Sequence, residues 1–175
     1  MNVSKSGKKE LNFCTMNSPL GEIMLAEYGG KICIAEFDGG SRAKTWLKTV
    51  SRHYRTVPNN RKSITLKQAE RQLNLYFDGK IEKFDLATDF TGTDFQKSVW
   101  NQLKRIPYGK TVNYGTIAER AGRPNASRAA GAAIGSNKLS IIIPCHRVVG
   151  KDGTLTGFGG GLWRKEWLLK HEGAI

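Results

Sequence analysis

Cysteine is scarce in this chain, and acid is scarcer than base. Three cysteines occur, Cys14, Cys33 and Cys145, an odd number with no Cys-x-x-Cys pair. That excludes a disulfide framework and a zinc knuckle and points to a reducing compartment. Cys14, Cys33 and His53 have no convincing fourth ligand nearby, so neither a metal nor another cofactor is expected. No run approaches the roughly 18 apolar residues of a membrane span, and residues 1–10 are polar and lysine-rich without an apolar signal core. A soluble intracellular protein is expected, with no membrane partner. Repeats and low-complexity tracts are absent.

Basic residues are abundant: 28 Lys and Arg face 15 Asp and Glu, a net charge of +13 over 175 residues. Residues 91–175 hold thirteen of the bases and five of the acids, a local excess of +8. A polyanion is the default partner of such a surface, through steering and counterion release.

Residues 11–37 read as three short β-prone runs. Gly29-Gly30 joins the last two as a hairpin, because both turn positions accept positive φ, and residues 17–21 form an earlier turn. A basic, irregular stretch follows through Asn59-Asn60-Arg61. A helix from about Thr65 then sets Leu66, Ala69, Leu73 and Phe77 on one face and ends at Asp78-Gly79. Phe84 and Leu86 alternate with charges as a short strand. A boundary near Phe90 divides a scaffold, residues 1–90, from a second domain, residues 91–175.

The second domain opens on Thr93 and Gln96, a capping box, followed by Phe95, Val99, Leu103 and Ile106 on one helix face. Residues 113–122 and 126–135 are two short helices joined by a tight turn, a helix-turn-helix pattern. Alanine and glycine dominate the second of these, so Arg128 alone projects. The run from Ser140 to Ile143 reads as a buried strand that Pro144 breaks, leaving Cys145 and His146 at the break. A thiol becomes a useful nucleophile only when a base or a positive field favours the thiolate. Neighbouring residues of extended chain point opposite ways, so a water between Cys145 and His146 is the expected link. Glu172 is the candidate acid for His146, and Asn137 for holding the turn that follows it. A final amphipathic helix is expected to bury Trp163 and Trp167, with Leu168 or Leu169, and to offer Lys165.

Pro144-Cys145-His146-Arg147-Val148, three isoleucines before it, then Gly157-Phe158-x-Gly160-Gly161-Leu162 and Lys165-Glu166-Trp167-Leu168-Leu169, together closely resemble the O6-alkylguanine-DNA alkyltransferases. The likeness is strong over residues 93–173 and weaker before them. It implies an α/β protein, with an N-terminal ribonuclease-H-like sheet-and-helix domain and a helical C-terminal domain carrying the helix-turn-helix. The implied activity is direct DNA repair. An alkyl group passes from O6-alkylguanine, or from O4-alkylthymine as an alternative lesion, to Cys145, in a suicide reaction after base flipping.

The resemblance further implies catalytic roles for Cys145, His146, Glu172, Asn137 and Tyr114, the last as proton donor to the leaving guanine. Substrate contacts would fall on Tyr114, Val148, Gly159, Gly160 and Lys165. DNA contacts would fall on Arg128, which fills the space of the flipped base, and on Gly115, Arg123, Ser127 and Lys151. The partner implied is double-stranded DNA approached through its minor groove. A monomer is expected, with cooperation on DNA left open, in the cytoplasm or, for a eukaryotic source, the nucleus. Two departures stand out: Trp163-Arg164 is bulkier than the pattern, and Ser127 replaces an alanine. Alkyltransferase-like proteins that only bind lesions carry tryptophan at the acceptor position, which Cys145 contradicts. A helix-turn-helix regulator would leave the cysteine segment without a use, and a cysteine hydrolase needs Cys and His side chains that face each other.

Overall fold

The computed structural model describes residues 9–37, 45–46, 48, 54–58, 62–89 and 91–175. The lysine-rich start, His53, the Asn59-Asn60-Arg61 stretch and Phe90 lie outside the described residues. The chain divides into two compact units, residues 1–89 and 90–175.

In the first unit, strands β1 (Lys9–Met16), β2 (Ile23–Tyr28) and β3 (Lys31–Phe37) form an antiparallel meander. Its β2–β3 turn has φ of 57° at Gly29 and 78° at Gly30, the positive pair that a two-residue hairpin needs. Met24 and Ala26 of β2 bury with Leu11 and Ile34 in one apolar cluster. Glu27, also buried, accepts from Asn12 Nδ2 at 2.7 Å and from the Gly30 amide at 3.1 Å, which satisfies a carboxylate that would otherwise be costly to bury.

Two expectations for this unit need correction. Part of the stretch read as irregular is strand β4 (Tyr54–Pro58), which lies parallel to β1 and gives the order β3-β2-β1-β4. A parallel neighbour requires a crossover between distant segments, so no local turn signal announces it. The strand expected at Phe84 and Leu86 does not form. Gln72 occupies the backbone of Asp85 instead, donating to its carbonyl and accepting from its amide, both at 2.8 Å. Sheet pairing resumes only where Thr88 bridges Ile32.

Helix α1 (Ile64–Phe77) starts at Ser63, whose side chain accepts from the Leu66 amide, and ends at Gly79 with φ of 71°. It packs on the sheet and buries Leu66, Ala69, Leu73 and Tyr76. Tyr76 takes the place expected of Phe77.

The second unit is mainly helical. Helix α2 (Asp94–Leu103) begins with both halves of the Thr93–Gln96 capping box. It is tied to the end of a later helix by Trp100 Nε1, which donates to the Ala133 carbonyl at 2.8 Å. A two-residue strand β5 (Val112–Asn113) leads into α3 (Tyr114–Arg120), capped by Asn113 Oδ1, which accepts from the Thr116 amide at 2.9 Å. Helix α4 (Ser127–Gly135) packs on α2 and α3. A turn of 3-10 helix (Cys145–Arg147), strand β6 (Val148–Val149) and helix α5 (Leu162–His171) complete the unit. Strand β6 pairs in parallel with β5, Val112 facing Val148 and Asn113 facing Val149. This short ladder brings the first turn of α3, and so Tyr114, beside the segment that follows Cys145.

The strand expected from Ser140 to Ile143 is also absent. The chain folds there into a tight turn, with the Ile142 amide bonded to the Ser140 carbonyl at 2.9 Å, the Ile143 amide to the Leu139 carbonyl at 2.8 Å, and φ of 71° at Ile141. Asn137 explains the outcome. Its Oδ1 accepts from the Leu139 amide and its Nδ2 donates to the Ile143 carbonyl, each at 3.0 Å, so one buried amide supplies the partners a ladder would have given.

Candidate active site

Cys145 opens the 3-10 turn directly after this Asn137-held turn and is 7% exposed, its amide donating to the Ile143 carbonyl at 2.7 Å. In a 3-10 turn successive side chains are separated by about a third of a revolution, so His146 points elsewhere, into the interior, and is wholly buried. His146 Nε2 lies 2.8 Å from Glu172 Oε1, on the residue that caps the end of α5.

Arg147 completes the arrangement, and sequence reasoning gave it no role. Its Nε donates to Glu172 Oε2 at 2.8 Å, Nη2 to Oε1 at 2.9 Å and Nη1 to the Ile106 carbonyl at 2.6 Å. This is a bidentate, charge-assisted grip on a buried carboxylate. The signal available was elementary: a buried acid beside one histidine needs a second positive partner, and Arg147 was the adjacent candidate. Glu172 Oε2 also accepts from the Gly109 amide at 3.3 Å, and a Cβ at Gly109 would come within 2.8 Å of the Glu172 carbonyl. Glycine is therefore required there by close approach.

Electrostatics follow from this packing. Burial pushes the Glu172 carboxyl up, but the hydrogen bonds and charges of His146 and Arg147 outweigh it and hold the group at about 2. Burial lowers His146 below its ordinary 6.5, against the opposing pull of Glu172. The histidine is thus neutral near pH 7. With Nε2 donating to the carboxylate, its Nδ1 carries the lone pair, and that atom is buried with no hydrogen-bond partner among the described residues.

Helix α5 buries Leu168 and Leu169 as expected and half-buries Trp167, but Lys165 and Trp163 exchange the places expected of them. Lys165 is wholly buried, whereas Trp163 is 56% exposed. The ammonium is held inside because Nζ donates to the Val148 carbonyl at 2.5 Å and to the Thr156 carbonyl. Burial lowers Lys165 to about 8, partly offset by the charge of Cys145, so this cation and the thiol share one field.

Tyr114 donates from its hydroxyl towards the carbonyls of Thr156, at 3.0 Å, and Gly157, at 3.3 Å. A Cβ on Gly157, whose φ is 55°, would approach that hydroxyl to 2.8 Å. Beside Tyr114 lies an open cavity of 540 Å³, lined also by Ser127, Arg128, Gly131, Gly135 and residues 156–159. Four of the expected contact residues, Tyr114, Gly159, Ser127 and Arg128, meet at this cavity. Cys145, Val148, Gly160 and Lys165 are not in its lining. Val148 is wholly buried and contributes its carbonyl to Lys165. Gly115 lies where a Cβ would be 3.1 Å from Asn113 Oδ1 and 3.6 Å from Ser127 Oγ.

Helix α4 buries Ala130, Ala133 and Ile134 and exposes Ser127, Arg128, Ala129 and Ala132. Its outer face is therefore smooth apart from one long cation. Arg123 is exposed, with its guanidinium 4.6 Å from the Phe95 ring centroid, and Lys151 is exposed in the turn closed by the Gly150 amide on the Thr154 carbonyl at 2.8 Å. Among the described residues no helix is long and apolar enough to cross a membrane, and no group of three His, Cys, Asp or Glu side chains is placed to hold a metal ion.

Comparison with known proteins agrees over both units. Residues 12–90 match the ribonuclease-like domain of 6-O-methylguanine DNA methyltransferase, and residues 94–174 match the DNA binding domain of the same family. The methylated-DNA-protein-cysteine methyltransferase of Mycobacterium tuberculosis is 40% identical over 162 residues, covering 93% of this chain and 92% of that protein. The protein of that name from Shigella flexneri is 53% identical over 105 residues, but the match spans only 59% of this chain and 61% of the relative. A crystal structure of Mycobacterium tuberculosis OGT in complex with DNA superposes with a TM-score of 0.79 at 40% identity, covering 94% of this chain and 93% of that one. With near-complete coverage by a 40% identical relative and both domains matched, the chain belongs to the 6-O-methylguanine DNA methyltransferase family.

Proposed function

We propose that this protein repairs DNA by taking the alkyl group of O6-alkylguanine onto Cys145, once per molecule. The observation that carries the reading is the buried chain from Arg147 through Glu172 to His146. It leaves a neutral imidazole with a free lone pair on Nδ1, next in sequence to a slightly exposed thiol.

In this reading a water joins Cys145 Sγ to His146 Nδ1, and the thiol proton passes through it to the imidazole. Glu172, kept ionised by Arg147, stabilises the imidazolium so formed. Lys165 adds a positive field that favours the thiolate. Sulfur then attacks the alkyl carbon: the C–S bond forms, the bond from carbon to guanine O6 breaks, and its electron pair goes to guanine. Tyr114 exchanges its loop acceptors for the leaving base and supplies a proton. Solvent returns that proton to Tyr114 and removes the one on His146. Water has no good leaving group to displace from the resulting thioether, so the protein is consumed.

A base must leave the duplex to reach a buried thiol, at a cost of roughly a few kcal/mol. The exposed, small-residue face of α4 supports close approach to DNA at the minor groove, with Arg128 entering the stack where the base departs. Arg123, Ser127 and Lys151 would contribute further contacts. Everything the chemistry needs lies within residues 91–175 of one chain, which supports a monomer with residues 1–90 as scaffold.

Mass spectrometry after mixing with a duplex containing O6-methylguanine tests the reading. One added methyl group on the Cys145 peptide is expected, and Cys145→Ala is expected to bind the duplex but transfer nothing. Transfer retained in that variant would refute the mechanism.

A further inference from the structure

Residues 156–159 form one wall of the cavity beside Tyr114, and the two ends of the loop they belong to, residues 156–161, are held by different groups. At the entry, Tyr114 and Lys165 both donate to the Thr156 carbonyl. At the exit, Arg164 Nη1 donates to the Gly160 carbonyl at 2.6 Å, while its guanidinium lies 4.4 Å from the Trp163 ring centroid. The indole packs against the same end of the loop, since a Cβ on Gly161 would meet it at 3.5 Å. Phe158 and Gly159, between the two anchors, face the cavity.

Four glycines in residues 157–161 leave this loop little stiffness of its own beyond the bond of the Gly161 amide to the Phe158 carbonyl at 3.0 Å. Its position therefore depends on the anchors and on the first turn of α5, whose Arg164 and Lys165 amides donate to the Gly161 carbonyl at 3.2 and 3.3 Å. The entry anchors belong to the proposed chemistry. The exit anchor has no part in the proposed chemistry and rests on a tryptophan half open to solvent. Arg164 is half-buried; stacked on an indole, its planar fork is presented to one carbonyl.

We propose that Arg164, seated on Trp163, is a positioning residue that fixes the exit of the loop and thereby limits the bulk of the alkyl group the site accepts. This rests on the proposed alkyl transfer. A wall pinned at both ends cannot retreat from a large substituent; released at one end, it yields to bulk while losing its fit to a methyl group. The expected consequence is a change in preference rather than a uniform loss.

Two measurements on the full chain separate this inference from the reading beneath it. Hydrogen exchange of the free protein reads the clamp without any substrate: Arg164→Ala is expected to speed exchange in residues 157–162 about tenfold, and Arg164→Lys, which keeps a donor for Gly160, by less. Unchanged exchange in Arg164→Ala overturns the clamp. Single-turnover transfer from duplexes carrying O6-benzylguanine or O6-methylguanine reads selectivity. The benzyl-to-methyl rate ratio is expected to rise about fivefold or more in Arg164→Ala, to rise in the same direction in Trp163→Ala, and to return towards the parent value in Arg164→Lys. An unaltered ratio, or equal loss of both rates, overturns the proposal even where exchange has quickened. If the parent protein transfers neither group, the functional reading fails, and the exchange experiment still decides whether Arg164 holds the loop.

Discussion

Replacing Arg147 by methionine keeps much of the side-chain volume and removes three hydrogen bonds, two to Glu172 and one to the Ile106 carbonyl. The carboxylate would remain buried with His146 as its remaining side-chain partner. Removing one member of a buried ion pair costs about 3–5 kcal/mol, because the other charge stays desolvated. The pKa shift gives a similar size. Glu172 sits at about 2 against an ordinary 4.5, a gap worth on the order of 3 kcal/mol. The sign is that of a depressed acid: the stabilisation is fully present above pH 4.5 and is lost as pH falls towards 2. His146, a base depressed below 6.5, adds a loss of the same sign that begins as pH drops through 6.5, since the unfolded chain then binds the extra proton. Urea unfolding of both proteins from neutral pH downward provides the assay. Arg147→Met should lose about 3–5 kcal/mol near neutrality and show a flatter decline below pH 4.5, since its Glu172 no longer starts from so low a value. In the double variant with Glu172→Gln, the loss should be smaller than the sum of the two single losses, as the orphaned charge is gone. A loss under about 1 kcal/mol, with the acid limb unchanged, would refute the claim that Arg147 keeps Glu172 ionised.

Other expectations concern the proposed reaction. Arg128→Ala should slow transfer from a duplex about tenfold or more while changing transfer from a single strand little, because only the duplex must extrude its base; equal losses on both substrates would remove Arg128 from the extrusion step. Asn137→Ala should cost about 2–4 kcal/mol in thermal or urea unfolding, by leaving the Leu139 amide and the Ile143 carbonyl buried without their partner; a loss within 0.5 kcal/mol, the range of ordinary surface substitutions, would show that the turn holds itself. The single-turnover rate should show no break as pH falls through 6.5 and should decline only below it, since His146 is held neutral by burial; a decline centred above 6.5 would mean that the base is not this histidine.

Where local signals were self-contained, they could be read from the sequence. The Gly29-Gly30 hairpin, the Thr93–Gln96 capping box and the glycine stop at Gly79 each depend on a few adjacent residues, and each forms as expected. The face of α1 was harder. Spacings of three and four both keep a side chain on one stripe, so Leu73 leads equally to Tyr76 or Phe77. The choice of Tyr76 is associated with Phe84, whose ring lies 5.5 Å away and arrives from outside the helix. Strand β4 was hidden for a related reason: its partner is β1, and no contiguous pattern records a parallel pairing across that distance.

The site itself divides the same way. Cys145, His146 and Asn137 stand within ten residues, so their chemistry is visible in one window, whereas the inward turn of Lys165 is not. A lysine on an amphipathic helix is ordinarily placed outside, and only two carbonyls, on Val148 and Thr156, make its burial tolerable. The run of three isoleucines misled for a deeper reason. β-branched residues favour extended backbone, yet Ile141 takes φ of 71°, a region strongly disfavoured for such a side chain. A strained residue persists only where its surroundings over-determine it. Here the Asn137 amide holds the Leu139 amide and the Ile143 carbonyl on either side of it. The strained turn hands the chain on to Pro144 and Cys145, both still buried, with the Cys145 amide donating to the Ile143 carbonyl at 2.7 Å. Continuation as a strand would send the thiol and the histidine to opposite faces of a sheet, with Glu172 able to meet His146 only if α5 moved. The violated preference at Ile141 and the usable position of Cys145 are therefore two results of one side-chain amide, and a strand propensity computed for the run alone contains neither.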